Sequence, residues 1–433
     1  MKMAFYKVRL TQAVLLLSLV LACTACGDNT PKAETSSARE VTLRVVTMFG
    51  GTDPNAPVYE KIMADFLDTH PNISIEDNSD TSDEQWKASV AASFSAGDEP
   101  DVLQFFTDAT ADQLIDMDKF VSIKEIQQIY PSYAADTYTW ALKQVANRDG
   151  VERAVPTTGF WEGLYCNQDL FDRYDIPLPS DWDSFACAVE KFRAQGMIPV
   201  ACSLGNVPHY WMEYLMLYTS GVDGYSTNWT QTPADWIDAL ERFRILKQMG
   251  AFPDNTDTIS NDYAQDLFNE KKAAMILEGN WYLPAIRDRQ DTIVIPFPGV
   301  PDQKAASGTV VGGMTSGFYI TRRAWENPDK REAAVAFVMA NTDKAAVQKY
   351  WEYGGGITTA ATRVAEYAKR TPLELSARKY MQGATQIVLS TDSRMAPGAY
   401  RELIAGIMRV SDGASAKELL DRVMSLNDEN GNW

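Results

Sequence analysis

Histidine is nearly missing from this chain: His70 and His209 are the only two in 433 residues. Two are too few for a typical catalytic zinc site, and neither stands in an HExxH pattern. Cysteine is scarce as well, and two of the five, Cys23 and Cys26, lie near the N-terminus. The other three, Cys166, Cys187 and Cys202, form no disulfide framework, although they allow one pair. There is no G-x-S-x-G elbow, no G-x-G-x-x-G fingerprint and no Walker pattern. Positive charge is in deficit, with 40 Lys and Arg against 58 Asp and Glu and a formal charge of −18. That excess argues against nucleic acid, a polyanion that needs basic patches, and disfavours a strongly anionic solute. After residue 22 no apolar run reaches the roughly 20 residues of a membrane-spanning helix.

What is present begins with an export signal. Lys2, Lys7 and Arg9 precede the short apolar run from Ala13 to Ala22, which describes a secretory leader too short to span a bilayer. Val20-Leu21-Ala22-Cys23 resembles a bacterial lipobox, with Cys26 the second choice for the lipid. The expected boundaries are a leader over 1–22 and a flexible polar tether over 23–39. Loss of the leader would leave 37 basic against 58 acidic residues, a charge of −21. The remaining chain of about 410 residues is too long for one ordinary core, so two domains are expected.

From Val41 the chain alternates. Val41 to Phe49 reads as a strand, and Pro57 opens a helix with Val58, Ile62 and Phe66 on one face. Ile73-Ser74-Ile75 is the next strand. Trp86, Val90 and Phe94 mark a second helix, and Asp101 to Phe106 a third strand. This order predicts a mostly parallel sheet covered on both faces. Asp77 to Glu84 alternates carboxylates and hydroxyls as a calcium loop does, but has no glycine for the sharp turn and reads better as a solvated acidic loop. Further on, Pro179-Ser180-Asp181-Trp182-Asp183 is a capped helix entry, and Ile198-Pro199-Val200-Ala201 is a strand.

The stretch Asp266 to Tyr282 organises the rest. Tyr263, Leu267 and Phe268 give a helical apolar face with Asp262 at its N-cap. Ala273 to Leu277 has the length of a buried strand. Gly279-Asn280 then breaks the run and places Trp281 at the strand's carboxyl end, where open α/β sheets bind ligands. A flat aromatic there either stacks on a sugar ring or plugs a core.

Several stretches together resemble one family: the lipobox, "GDEPDVLQFF", "AVPTTGFWEGLYCNQDLFDRYDIPLPSDWDSF", "GMIPVA", "FNEKKAAMILEGNWY" and "GGMTSGFYITRRAWENPDKREAAVAFVM". The chain is similar to bacterial extracellular solute-binding proteins of the carbohydrate-uptake class, the maltose-binding type of receptor for an ABC importer. Cys166 departs from the tyrosine or phenylalanine usual before Asn167. The resemblance implies an α/β fold of two lobes with a ligand cleft between them and a hinge of several crossing segments. The crossings are expected near Ala154 to Thr158, Val294 to Pro298 and Ala340 to Asp343. The first lobe would take 40–153 and 296–340, the second 154–295 and 341–433.

The resemblance also implies site residues. Gly51 and Asp53 lie in the turn after the first strand. Phe105, Phe106 and Asp108 end the third, and strand alternation sends one of the two phenylalanines into the core. Phe160, Trp161 and Glu162 stand at the first crossing, while Tyr210 and Trp211 follow the "GMIPVA" strand. Trp281 is the main platform. Met314 and Gly355 belong to glycine loops that let backbone approach a ligand. Tyr400, with Met395, falls where relatives bring a last aromatic. The implied activity is capture of a sugar, an oligosaccharide by the number of aromatics, with no catalysis, no cofactor and no metal. The implied partners are ABC permease subunits and the membrane reached through a lipid anchor, for an exported monomer on the extracellular or periplasmic side. A secreted glycosidase would use paired carboxylates such as Asp108 and Glu162. Capture of a non-sugar solute, or a surface adhesin without a cleft, are the other readings.

Overall fold

The computed structural model describes residues 39–226, 232–362 and 370–429. The leader, the tether up to residue 38, both candidate lipidation cysteines and 430–433 lie outside the described residues. In chain order the strands are β1 (Val41–Val46), β2 (Ile73–Asp77), β3 (Val102–Phe106), β4 (Thr158–Asn167), β5 (Ile198–Ala201) and β6 (Ala273–Gly279). They continue as β7 (Thr292–Ile295), β8 (Thr309–Gly313), β9 (Ser316–Ile320), β10 (Ile357–Thr358) and β11 (Gln386–Val388).

Two sheets organise two lobes. The first has the order β2-β1-β3-β9. β1 pairs in parallel with β2 and β3, and β9 closes the edge antiparallel to β3. The helices Ala56–Thr69 and Glu84–Ser95 connect its parallel strands. Asp83 caps the second of these through the Trp86 N–H, and Trp86, Val90 and Phe94 bury its inner face. The spacing of those residues predicts that face.

The second sheet is built on β4. Its first half pairs with β10 and β8, its second half with β6 and β7. β5 continues the sheet beside β6 and β11 beside β8. β4 and β6 are buried along almost their whole length, so the sheet is covered on both faces there.

Three crossings meet at the head of β4. Val155 is still bonded to Phe318 of the first sheet, and Thr158 begins β4. The second crossing is Met314-Thr315, between β8 and β9. It is not at 294–298: the prolines of I-V-I-P-F-P only end β7, and Phe297 packs inside the second lobe against Trp211 and Tyr214. Residues 296–313 therefore belong to the second lobe. The third crossing follows Gly354, not Ala340. Asp343 caps another helix, Lys344–Gly354, whose Ala346 and Tyr350 join the first lobe's core. The chains cross so closely that glycine is required. A Cβ on Gly159 would lie 2.6 Å from the Gly313 carbonyl oxygen, and one on Gly356 would lie 2.4 Å from that of Gly159.

The helix Asn261–Asn269 is capped by Ser260, not Asp262, and Tyr263 stands in solvent while Ala264 takes the buried place. Cys166, Cys187 and Cys202 are free thiols, two buried and one exposed.

Candidate functional site

β6 ends at Gly279, and the turn Asn280–Ala285 carries Trp281. The indole folds back over Gly279 so tightly that a Cβ there would lie 2.2 Å from the six-membered ring. Its Nε1–H donates to Glu278 Oε2 at 3.0 Å. Glu278 is fully buried and also accepts from Asn261 (2.7 Å), Gln265 (2.8 Å) and the Gly279 N–H (3.3 Å). The ring is thus fixed in place yet half-buried. Phe160 and Tyr210 flank it, each with a ring centroid 5.9 Å away and tilted by about half a right angle.

The neighbouring carboxylates follow from local periodicity. Phe160 and Glu162 are two apart on β4 and share a face. Glu162 is also the register partner of Gly279. On the helix His209–Ser226, Glu213 stands four residues after His209 and three after Tyr210, so the three share a face. Tyr400 meets the His209 ring at 5.9 Å. The Glu162 backbone carbonyl is held by the hydroxyls of Tyr214 (2.7 Å) and Tyr380 (2.6 Å). Glu162 Oε2, Glu213 Oε2 and His209 Nδ1 are buried with no hydrogen-bond partner. Buried polar atoms are normally satisfied, and although others stand unmatched elsewhere, as at Asp112 and Tyr133, three around one aromatic corner make it a candidate place for ligand polar groups.

The first lobe reaches the same cluster. Asp108 accepts the N–H of Thr110 and, across the lobes, the hydroxyl of Ser393 at 3.0 Å. Lys87 pairs with Glu84 at 2.7 Å, lies 4.0 Å from Asp392, and stands 4.6 Å over the Phe106 ring. The loop that carries Asp392 and Ser393 is tied to the second lobe by the Thr391 N–H, which donates to Glu213 Oε1 at 3.1 Å.

Burial dominates the electrostatics. It pushes Asp108 up to about 6, with Asp392 adding to the shift. It raises Glu162, helped by Glu213, and it raises Glu213, helped by Asp392. Burial also lowers His209 to about 4. Away from the cluster, burial raises Asp53 to about 6 and Asp112 to about 7. A carboxyl raised on folding stabilises the fold in full below its unfolded pKa, and that stability is lost as pH rises through the folded value. His209 acts oppositely and loses its contribution as pH falls from its unfolded value of 6.5 toward 4. With several carboxyls against one histidine, thermal stability is expected to be higher at pH 5.5 than at pH 8. Asp108→Asn should flatten the slope between about pH 4 and pH 6. A parent melting temperature that climbs from pH 5.5 to pH 8 would contradict this assignment.

The expected site residues divide. Phe106, Asp108, Glu162, Tyr210, Trp281 and Tyr400 come together. Phe105 is core, packed on Trp86 at 5.3 Å, while Phe106 is the outward member of the pair. Trp161 is also core, because it alternates to the opposite face of β4 from Phe160, and it is 1% exposed. Its indole N–H donates to the Gly355 carbonyl at 2.9 Å, which makes both residues fasteners of the third crossing. Trp211 lies on the helix face away from Tyr210 and is enclosed by Phe185, Phe252 and Phe297. Met314 and Met395 are buried too, Met314 between Ala141 and Val145. Gly51 has φ +58° in an exposed turn beside Thr81, and Asp53 accepts the Asn55 N–H at 2.8 Å. Lys87, Glu213, Glu278, Asp392 and Ser393 were not singled out by sequence. Glu213 carried a signal, a lone carboxylate in the apolar run from Tyr210 to Tyr218, since such a residue is seldom fully buried.

A largely apolar groove of about 410 Å³ lies beside the third crossing, among Trp351, Tyr353, Ile357 and Met381. The Arg289 and Glu374 pair at its edge is already matched at 2.9 Å. None of its lining side chains is among the buried unmatched polar groups found around Trp281.

The family model described as bacterial extracellular solute-binding protein matches residues 51–359. A multiple sugar-binding protein of Streptococcus mutans serotype c is 26% identical over 386 residues, 86% of each chain. Among solved structures, a chitin oligosaccharide binding protein superposes with a TM-score of 0.77 at 19% identity, covering 90% of this chain and 98% of that one. The solute-binding protein RafE in complex with raffinose gives a TM-score of 0.70 at 17% identity, covering 90% and 99%. At such identities the likeness establishes the fold alone.

Proposed function

The chain belongs to the bacterial extracellular solute-binding proteins, and on that premise we propose that it captures a saccharide between its lobes and delivers it to the membrane permease of an ABC importer. The observation that carries this reading is the Trp281 platform, anchored on buried Glu278 and flanked by Phe160 and Tyr210. A sugar has apolar ring faces and a polar rim. The platform covers a face, and the unpartnered oxygens of Glu162 and Glu213 take rim groups. Hydrogen bonds to charged groups are worth about 1.5–3 kcal/mol each.

Closure fits the same geometry. Asp108 and Lys87 come from the first lobe, Trp281, Tyr210 and Glu213 from the second, so a bound ring contacts both only when the lobes approach. A ligand that touches both lobes shifts the equilibrium toward the closed form. The number of aromatic rings favours an oligosaccharide. The name of the Streptococcus mutans relative and the titles of the solved structures, which speak of sugars, support the substrate class. The proposal includes a lipid on Cys23, with Cys26 the alternative, as the anchor at the outer face of the membrane.

A thermal-melt screen of the purified protein against mono- and oligosaccharides tests the reading. A ligand at 100 times its Kd stabilises by about 2.7 kcal/mol, a visible shift. A hit whose sugar is recovered intact supports capture, and a hydrolysed sugar would make the protein a glycosidase. A shift with a polyol or peptide and none with any sugar would replace the substrate class and keep the fold.

A further inference from the structure

The cleft buries more carboxyl groups than the hydroxyls of a neutral sugar require. Glu162 and Glu213 are 1% and 0% exposed, and each keeps one carboxylate oxygen without a donor. Around them stand Asp108, Glu278 and Asp392. The charges that act on Glu162 come from Glu213, Asp392 and Glu278, all of one sign. Two cations are close, and both are engaged. Lys87 is paired with Glu84 and stands near Asp392, while Arg394 donates one N–H to the Ser226 carbonyl at 3.1 Å and keeps its buried Nε without a partner.

Neutral acceptors such as asparagine, glutamine or backbone carbonyls would receive hydroxyls at a smaller desolvation cost. Paired buried carboxylates are stabilised best by a cation brought to them. A metal is a poor candidate, because among the described residues no group of three or more His, Cys, Asp or Glu side chains could hold one. An organic ammonium fits instead. The rings that border the carboxylates strengthen this reading, since aromatic faces attract cations and tryptophan does so most strongly. Trp281 covers Gly279, the register partner of Glu162, so the platform and the free carboxylate oxygen are neighbours by construction.

We propose that the solute is an amino sugar, whose ring lies on Trp281 and whose ammonium group is received between Glu162 and Glu213. This rests on the saccharide reading above and narrows it. The solute's charge then decides selection, and a neutral sugar of the same shape leaves both carboxyl groups without a counter-charge.

The test is calorimetry at pH 7 with matched sets of one, two and three residues: glucosamine and galactosamine, free or β-1,4-linked, against the N-acetylated and the parent neutral sugars. At least one amine-bearing member is expected to bind 30-fold or more tighter than both its neutral counterparts. Glu162→Gln and Glu213→Gln keep side-chain shape, and each should lower amine affinity at least tenfold more than it lowers neutral affinity. Neutral members that bind as tightly as the amines would overturn the proposal and leave sugar capture standing. A 30-fold preference that survives both substitutions would also overturn it, by placing the ammonium elsewhere. If no member of any set binds, the proposal is overturned, and the wider melt screen decides the saccharide reading separately.

Discussion

Trp281→Ala is expected to weaken binding of the captured saccharide at least tenfold while the protein stays folded. Tenfold corresponds to about 1.4 kcal/mol. A stacked aromatic contributes about 0.5–1.5 kcal/mol beyond the area it buries, by analogy with aromatic pairs, and the apolar area adds about 25 cal/mol per Å². The two together exceed the tenfold mark for a ring fixed as this one is. Little stability should be lost, because Trp281 is only half-buried and its neighbours Phe160 and Tyr210 also pack on the second lobe's core. Trp281→Phe should keep part of the affinity, since it retains a face but loses the indole anchor. Calorimetry with a hit from the melt screen measures both. Unchanged affinity in a folded Trp281→Ala protein would remove this residue from the site.

The second large effect is on stability. Glu278→Ala should lower the free energy of unfolding by about 3 kcal/mol, seen as a lower urea midpoint. Four donors, from Asn261, Gln265, Gly279 and Trp281, converge on this carboxylate. Its removal strands the buried Gly279 N–H and deprives three half-buried donors of their acceptor, and a stranded buried donor costs about 1–3 kcal/mol before any relaxation. Glu278→Gln should fall between parent and alanine, because the amide keeps only one accepting oxygen. Solute affinity should drop as well, since the Trp281 indole loses its partner. A urea midpoint equal to that of the parent would show that the four donors find other acceptors.

These two residues also show what a sequence can and cannot disclose. The strand Ala273 to Leu277, its glycine break and the delivery of Trp281 were all legible, because each follows from local rules of run length and turn chemistry. So was the first crossing, where Pro156 forces extended chain. Trp161 and Trp211 fall in the core for a specific reason: each is one residue from a ring that borders Trp281, and one step along a strand or a helix changes the face. The prolines of I-V-I-P-F-P looked like a lobe crossing, yet proline ends a strand whether or not the chain then leaves the lobe. Glu213 and Asp392 meet in the cleft from nearly 180 residues apart, and no local pattern encodes that meeting.

The nested order of the strands has a consequence for how the protein is made. β3 is finished at Phe106, but the strand that covers its edge does not begin until Ser316. β8 ends at Gly313, and its partner β11 waits until Gln386, with a large piece of the other lobe synthesised between them. Neither sheet can be completed by a chain still emerging from the ribosome until most of it is out. Pairings of such long sequence separation make folding slow. A chain that must stay unfolded that long remains threadable, which is the state a secretion channel accepts.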